Sequence, residues 1–464
     1  MDYSAANVGL WNILIQFGII AAAIIAANFL RRKIPFFRKS LMPTAVLSGF
    51  LLLILRSTGL IHMDLNMLEM ITYHGIAIGF IAMSLRVQKE NASERSSALI
   101  GAKSGAMIVA TYLVQGIVGL VICILLAWTV KPGFFKAAGA LLPMGYGQGP
   151  GQANNIGGSY EALGFAGGRS FGLSLAASGY LVACIVGVIV LNILVKKGKI
   201  QRVQHEELSG SVTVDTFQDK GEMPLSESLD RFSMQAALVI VTYLLTYLVT
   251  WGITSGISAI SESAAATVNS LLWGFNFIIG SLMAIIIKWF LSKMKRLHFM
   301  SRQYQNNYLM NRISGFAFDL MITAGIASIE LEDLSGLWLP FILLSVAGAV
   351  FTWLFLSWGC KRIYKGYYYE GLMSMYGMLT GTISSGVLLL REIDPEYKTP
   401  AANNLVLGSS FGIGFGIPML IFVGMAPKSD LLCYVTVGCC IVYLALLVLF
   451  IVKAGSGRQK KKNK

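Results

Sequence analysis

Long uncharged apolar runs are the feature that most restricts how this chain folds. The run that begins near Val8 carries no charge until Arg31, and the run from Leu431 to Val452 is equally free of charge. As a helix, each is long enough to cross a hydrocarbon core of about 30 Å. With 55% hydrophobic and 13% charged residues, the chain has too few charges to cover a soluble protein of this length. We therefore expect an all-α integral membrane protein in a lipid bilayer.

Eleven apolar segments predict about 11 spans. They lie at 8–30, 42–60, 67–85, 99–129, 170–195, 235–259, 267–291, 313–329, 336–358, 402–426 and 431–452. Basic residues gather in alternate loops, from Arg31, Arg32 and Lys33 to the tail GRQKKKNK. Because basic loops stay in the cytoplasm, we expect a multi-pass protein of the bacterial inner membrane, with its N-terminus outside and its C-terminus inside. The net charge of +14 then reflects topology, and we expect no nucleic-acid partner.

One polar stretch divides the chain. Residues 196–231 are hydrophilic and mixed in charge, which is typical of a linker, and the predicted topology places them in the cytoplasm. The linker separates an N-terminal transmembrane repeat at 1–195 from a C-terminal repeat at 232–426. Residues 427–464 then form an additional transmembrane helix and a basic cytoplasmic tail.

Two segments at membrane depth, 138–156 and 371–390, are too rich in glycine or polar residues for ordinary spans. In the first, glycines occupy alternate positions from Gly145 to Gly151, with Pro150 among them. Gly and Pro both interrupt helices, and irregular backbone is tolerated at this depth only inside protein or beside a polar cavity. This pattern predicts a re-entrant hairpin. The alternative is that the glycines only permit close helix packing.

The second segment, around Gly381, occupies the matching place in the other half. Each half then has four spans, a broken segment and a fifth span, and an odd number of crossings makes the two halves inverted in topology. A paired interruption of this kind indicates the midplane site of a transporter. Half-helix N-termini would hold an anion there, since no Lys or Arg is clearly placed in mid-membrane.

The expected substrate- and ion-binding residues come from the two segments and their surroundings. They are Gly145, Gly147, Gln148, Gly149, Pro150, Gly151, Gln152, Asn154, Asn155, Asp319, Thr380, Gly381, Thr382, Ser384, Ser385, Gly386, Asn403 and Asn404. We find no catalytic triad, HExxH motif or nucleotide-binding loop, so we expect no enzyme and a solute driven by an ion gradient.

Asp319 lies within the eighth predicted span, and an intramembrane carboxylate is a functional candidate. It could bind sodium together with Ser384, Ser385 and Asn403, because hard cations prefer oxygen ligands. It could instead carry a coupling proton, or pair with Arg312, seven residues earlier on the same helix.

Three polar residues elsewhere have more modest expected roles. For Asn276 we expect an interhelical hydrogen bond. Glu161 and Arg169 follow the first hairpin, where they either form a gate or are only solvated.

The chain resembles bacterial sodium/glutamate symporters and, more distantly, 2-hydroxycarboxylate transporters. The resemblance covers most of residues 8–426 and rests on Gly145–Gly151, on the segment 377–386 and on MPTAVLSGFLL in the second span. It implies a homodimer of inverted five-span halves, whose hairpin tips form the site of a moving transport domain. The motifs G-Y-G-Q-G-P-G and G-T-I-S-S-G and the added helix at 431–452 depart from the family pattern.

The function that the resemblance implies is sodium-coupled uptake of glutamate or a related anionic amino acid or carboxylate by alternating access of the elevator type. Sodium is then the coupling ion, with no other cofactor. The alternatives are a proton-coupled or differently selective organic-anion transporter, a channel and a non-transporting sensor.

Overall fold

The computed structural model describes residues 7–39, 42–87, 94–200, 231–260, 272–273, 276–297, 299, 304–394 and 399–454. Within these ranges the regular structure is helical, and no strand occurs. Positions 201–230 of the expected linker and positions 455–464 of the basic tail lie outside the described residues.

We number the α-helices in chain order. They are α1 Val8–Lys33, α2 Pro35–Lys39, α3 Thr44–Ser57, α4 Leu65–Leu85, α5 Glu94–Trp128, α6 Pro150–Glu161, α7 Gly168–Leu181, α8 Gly187–Lys196, α9 Arg231–Ile260, α10 Asn276–Arg296, α11 Asn307–Ala327, α12 Trp338–Ile363, α13 Tyr368–Thr380, α14 Ile383–Arg391, α15 Ala401–Met425 and α16 Asp430–Lys453. Turns of 3₁₀-helix span Lys136–Ala140, Glu332–Leu334 and Ala426–Lys428, and π-helical turns span Pro143–Gln148 and Val182–Val186.

Nine helices in the described part are long and apolar enough to cross a membrane. They correspond to α1, α4, α5, the continuous α7–α8, α9, α10, α12, α15 and α16. The chain is thus an all-α, multi-pass membrane protein, as predicted. Two of the eleven predicted spans are not among these nine helices. The second is α3, a helix of only 14 residues, and the eighth is α11, whose polar residues leave it outside the nine.

Two compact units divide the chain. Met1–Glu69, Ala92–Gln204 and Ile322–Lys464 form the first unit, and Met70–Asn91 and His205–Met321 form the second. This division does not follow the expected boundaries near 195 and 232. Both broken segments lie in the first unit.

The second unit is held together by apolar packing between α4, α9, α10 and α11. Its buried core contains Ile81, Ala82, Leu85, Val239, Ala284 and Met310. Asn276 of α10 donates from Nδ2 to the Tyr243 hydroxyl of α9 at 3.2 Å, which confirms the predicted interhelical hydrogen bond.

The first unit contains a very close helix contact that supports the first broken segment. A Cβ atom added at Gly139 would lie 2.1 Å from the carbonyl oxygen of Gly119 in α5, so the two backbones touch. The added helix α16 also belongs to this unit: the Tyr443 hydroxyl donates to the Phe415 carbonyl of α15 at 2.7 Å. At its first residue, Asp430 pairs with Lys136 at the start of the broken segment.

Candidate functional site

The first broken segment is interrupted at a single residue, Gly149. Its backbone angles are φ 88° and ψ −175°, and φ in this range favours glycine. Pro150 then occupies the first position of α6, where its fixed φ and missing N–H suit a helix start. The break predicted among the glycines of 138–156 is therefore confined to Gly149: helical turns reach Gln148, and a helix resumes at Pro150.

The chain reverses direction at Gly149. The ring of Phe135, which precedes the broken segment, lies 5.6 Å from the ring of Tyr160 near the end of α6. It also stacks on Phe165 at 5.0 Å. Both ends of the segment are thus neighbours, and the segment is a helical hairpin.

The second broken segment is also a helical hairpin. Helix α13 ends at Thr380, and α14 begins at Ile383. The legs pack without side chains between them: a Cβ atom added at Gly386 would lie 2.3 Å from the Ser374 carbonyl oxygen, and one at Gly377 would lie 2.9 Å from the Gly386 Cα. Contact between positions 377 and 386 on either side of the break requires the legs to run antiparallel.

The tips of the two hairpins meet. A Cβ atom added at Gly149 would lie 3.9 Å from Thr382 Cγ2 and 3.5 Å from the Tyr180 hydroxyl of α7. A Cβ atom added at Gly179 would lie 2.2 Å from the Thr380 carbonyl oxygen. Two segments that are far apart in the sequence are thus brought together at the residues where each helix is broken.

Both N-terminal and C-terminal helix ends lie at these tips. Helices α6 and α14 begin here, and neither N-terminus has a side-chain cap within the described residues. The first N–H groups of a helix lack intrahelical partners and carry partial positive charge. The helical turn Pro143–Gln148 and α13 end here with their carbonyl groups. This arrangement can bind an anion on N–H groups and a cation on carbonyl oxygens.

Buried polar side chains add oxygen atoms around the breaks. Gln152 and Ser385 have only 1% and 3% of their surface exposed. Within the part of the chain that the structure describes, five such oxygens lack a hydrogen-bond partner: Gln115 Oε1, Gln152 Oε1, Asn154 Oδ1, Thr382 Oγ1 and Ser385 Oγ. Because buried polar atoms are normally paired, this concentration indicates a place where a polar ligand or water binds.

Close packing, rather than ligand contact, explains three of the predicted glycines. A Cβ atom added at Gly145 would lie 2.8 Å from the Ala176 nitrogen of α7, and one at Gly147 would lie 2.3 Å from the Tyr112 ring of α5. Gly386 packs against the other leg of its hairpin. The packing alternative therefore accounts for these three positions, whereas Gly149 makes the turn itself.

Several predicted side chains are committed to local hydrogen bonds. Gln152 donates from Nε2 to Gln148 Oε1 at 3.1 Å. The Thr380 hydroxyl donates to the Tyr376 carbonyl within α13 at 2.8 Å. Asn155 is buried, at 8% exposure. The side chain of Ser384 lies outside the described part of the chain.

Asn403 and Asn404 are not at the hairpin tips. Asn404 donates from Nδ2 to the Tyr367 hydroxyl at 2.8 Å, just before α13 begins, and Asn403 is exposed. Since α13 has 13 residues, its start is roughly 20 Å from its broken end. The reason is the hairpin: α14 carries the chain back along α13 before α15 begins.

Asp319 belongs to the other unit, on an exposed position of α11. The pairing considered with Arg312 does not form among the described contacts, because Arg312 stacks on the Tyr308 ring at 4.9 Å. The expected roles of Asp319 as a sodium ligand or proton carrier remain predictions.

Arg169 and Glu161 form a charged cluster at the starts and ends of neighbouring helices. Arg169 pairs with Glu69, and its Nε lies 3.4 Å from Glu161 Oε2. The Arg169 backbone N–H also donates to Glu161 Oε1 at 2.9 Å. Burial raises the pKa of Glu161, and the neighbouring Arg169 opposes this shift. These residues are paired rather than merely solvated, and their role as a gate remains a prediction.

Sequence reasoning missed Gln115, Tyr112 and Tyr180, which line the back of the hairpin tips. Gln115 is fully buried in α5 and bonds to the Leu379 carbonyl at 2.9 Å. The available signal was an uncharged polar side chain in the middle of a long apolar run.

In the described part of the chain, no group of three or more His, Cys, Asp or Glu residues is arranged to hold a metal ion. Comparison of the chain with models of known protein families and with curated proteins gives no match.

Proposed function

We propose that this protein is a secondary active transporter that carries a small anionic solute across a bacterial inner membrane by alternating access. The solute class is glutamate or a related anionic amino acid or carboxylate, and sodium is the coupling ion. The two helical hairpins are re-entrant, they belong to inverted repeats, and the protein works as a homodimer.

The meeting of the two hairpin tips is the observation that supports this proposal. Uncapped N-termini of α6 and α14 lie beside Gly149 and Thr382, and the same helix starts carry buried oxygens that have no partner among the described residues. N–H groups suit a carboxylate, and hydroxyl and amide oxygens suit sodium. Burying polar groups without hydrogen-bond partners costs free energy, and a purely structural core would avoid that cost at broken helices.

Uptake of radiolabelled glutamate into proteoliposomes tests the proposal. Three conditions are compared: an inward sodium gradient, an inward proton gradient and no gradient. We expect accumulation above the equilibrium level with the sodium gradient alone. An added sodium ionophore serves as the control, since it should abolish accumulation by collapsing the gradient.

Each other outcome changes a definite part of the proposal. Accumulation with only the proton gradient would replace sodium by a proton. Accumulation of another carboxylate but not glutamate would change the solute. Equilibration without accumulation under any gradient, together with ohmic currents in planar bilayers, would replace the transporter by a channel.

A further inference from the structure

Gln115, which lies on α5, caps the broken end of α13. Its Nε2 donates to the Leu379 carbonyl at 2.9 Å and to the Thr352 hydroxyl oxygen of α12 at 2.8 Å. In a continuous helix the Leu379 carbonyl would accept from the N–H four residues later. The break at Gly381 and Thr382 interrupts this pattern, and the amide of Gln115 supplies the donor.

These bonds fix the direction of the other end of the side chain. The Leu379 carbonyl can only accept a hydrogen bond, so the NH₂ group of Gln115 must face it, and Oε1 must face away. A Cβ atom added at Gly147 would lie 3.1 Å from Gln115 Oε1, which places this oxygen against the last turn before Gly149.

Gln115 Oε1 is therefore a fixed acceptor without a donor. Gln115 is 0% exposed, and its Oε1 has no partner within the described ranges. On α6, just after the break, Gln152 Oε1 is in the same situation. A buried acceptor that stays unpaired destabilises a protein, and a buried amide oxygen can be satisfied by a hydrogen-bond donor or by a cation.

We propose that Gln115 is a specificity-determining residue of the site, whose Oε1 binds a compact, positively charged group. That group is either the ammonium of an α-amino acid solute or a bare monovalent cation. The inference rests on the proposed function, because it assigns this oxygen to the same hairpin tips. It adds the requirement that the occupants of the site include a positive charge as well as a carboxylate.

Two substitutions at Gln115 separate ligand binding from capping. Gln115→Met and Gln115→Glu both remove the Nε2 donor to Leu379. If the role of Gln115 were purely structural, both substitutions should lower stability and ligand affinity to the same extent. Gln115→Glu keeps an acceptor oxygen, whereas Gln115→Met removes it. Gln235→Met is the matched control, since Gln235 is 2% exposed and both ends of its amide bond to backbone, at Tyr304 and Asn306.

The measurement is the thermal unfolding midpoint of the purified full-length protein in detergent. It is titrated with sodium chloride against choline chloride, and with L-glutamate against glutarate, which has the same two carboxylates but no ammonium group. For the probe that contacts Oε1, Gln115→Met should raise the half-saturating concentration by about tenfold or more, as expected for loss of a hydrogen bond to a charged group. Gln115→Glu should leave it unchanged or lower it, and Gln235→Met should leave it unchanged.

The probe that responds identifies the source of the charge. An effect on sodium alone assigns a bare cation, and an effect on glutamate but not on glutarate assigns the ammonium group. Three results would overturn the inference. The half-saturating concentration rises equally in Gln115→Met and Gln115→Glu, or it rises equally for glutamate and glutarate, or it does not change in Gln115→Met. A wild-type protein that responds to no probe would overturn it as well. A response that depends on Gln115, combined with no uptake in proteoliposomes, would reject transport and retain the binding site.

Discussion

At the scale of single residues, Gly149 determines whether the first hairpin can turn. Its backbone angles of φ 88° and ψ −175° are unfavourable for any residue with a Cβ, by about 1–3 kcal/mol. A Cβ atom at this position would nevertheless have room, with its nearest neighbours at 3.5 and 3.9 Å. Strain at Gly149 should therefore change the geometry of the tip without preventing folding.

We expect Gly149→Ala to reduce glutamate uptake in proteoliposomes by at least about tenfold, because the first-turn N–H groups of α6 would be displaced. Gly164→Ala is the control: Gly164 has a similar φ of 99° and no atom within 4 Å of an added Cβ. It should cost similar stability and leave uptake unchanged. Equal uptake in both variants would separate the Gly149 turn from the transport site.

The raised pKa of Glu161 predicts that the stability of the protein depends on pH. A carboxyl whose pKa is raised on folding stabilises the fold most below its ordinary pKa, and this contribution is lost as the pH rises through the raised pKa. Burial raises the pKa of Glu161 in this way. As the pH rises above the ordinary glutamate pKa of about 4.3 and through the raised pKa of Glu161, we expect the thermal midpoint to fall less steeply in Glu161→Gln than in the wild type. The exposed Glu332, as Glu332→Gln, controls for loss of a surface charge; an unaltered slope in Glu161→Gln would assign the dependence elsewhere.

At the scale of helices, the contact between α5 and the first hairpin depends on glycine at two facing positions. A Cβ atom at Gly119 would lie 2.2 Å from the Gly139 carbonyl oxygen, which is backbone and cannot rotate away. Three residues earlier on α5, a Cβ atom at Gly116 would meet Pro143 at an ordinary 3.6 Å. Overpacking of a tight contact typically costs about 1–3 kcal/mol.

We therefore expect Gly119→Ala to lower the thermal midpoint and the yield of folded protein clearly more than Gly116→Ala. Size-exclusion profiles in detergent provide the second readout, because a displaced hairpin exposes apolar surface. Indistinguishable midpoints for the two variants would show that α5 and the hairpin can move apart without cost.

The existence of the two broken helices could be predicted from the sequence, but their contact could not. Glycine and proline inside an apolar segment restrict the local backbone, so a break near Gly149 follows from nearby residues. The approach of Gly149 to Thr382 depends on packing between distant elements. The bond from Gln115 to the Leu379 carbonyl could not be predicted either, since a lone glutamine in an apolar helix has many structural uses. The prediction that Asn404 lies close to the broken segment was wrong, because α14 returns the chain to the start of α13.

At the scale of the whole molecule, most of the basic residues that the predicted orientation places outside have a local partner. The predicted topology places four basic residues outside: Lys131, Lys136, Arg169 and Lys428. In the structure Lys131 bonds to the Gly336 carbonyl, Lys136 pairs with Asp430, and Arg169 pairs with Glu69 and Glu161. Local partners reduce the influence of these three residues as free charges, so we expect the remaining basic loops to decide the orientation.

We expect a fluorescent protein fused after Lys464 to fold and fluoresce in the cytoplasm. A periplasmically active alkaline phosphatase fused at the same place should be inactive, and the reverse result would invert the predicted topology. A matched pair of fusions at residue 428, before α16, should give the opposite pattern, because α16 is long and apolar enough to cross the membrane once.

In the proposed transporter, the uncapped helix starts at Gly149 and Thr382 would also limit how a different solute preference could evolve. Main-chain amides are shared by every amino acid, so mutation cannot alter their chemistry, and the turns that aim them tolerate little change. Variation in preference should therefore accumulate in the surrounding side chains, at Gln115, Gln152 and Ser385. A directed-evolution library confined to those three positions would explore preference while leaving unchanged the main-chain amides that are proposed to bind the carboxylate.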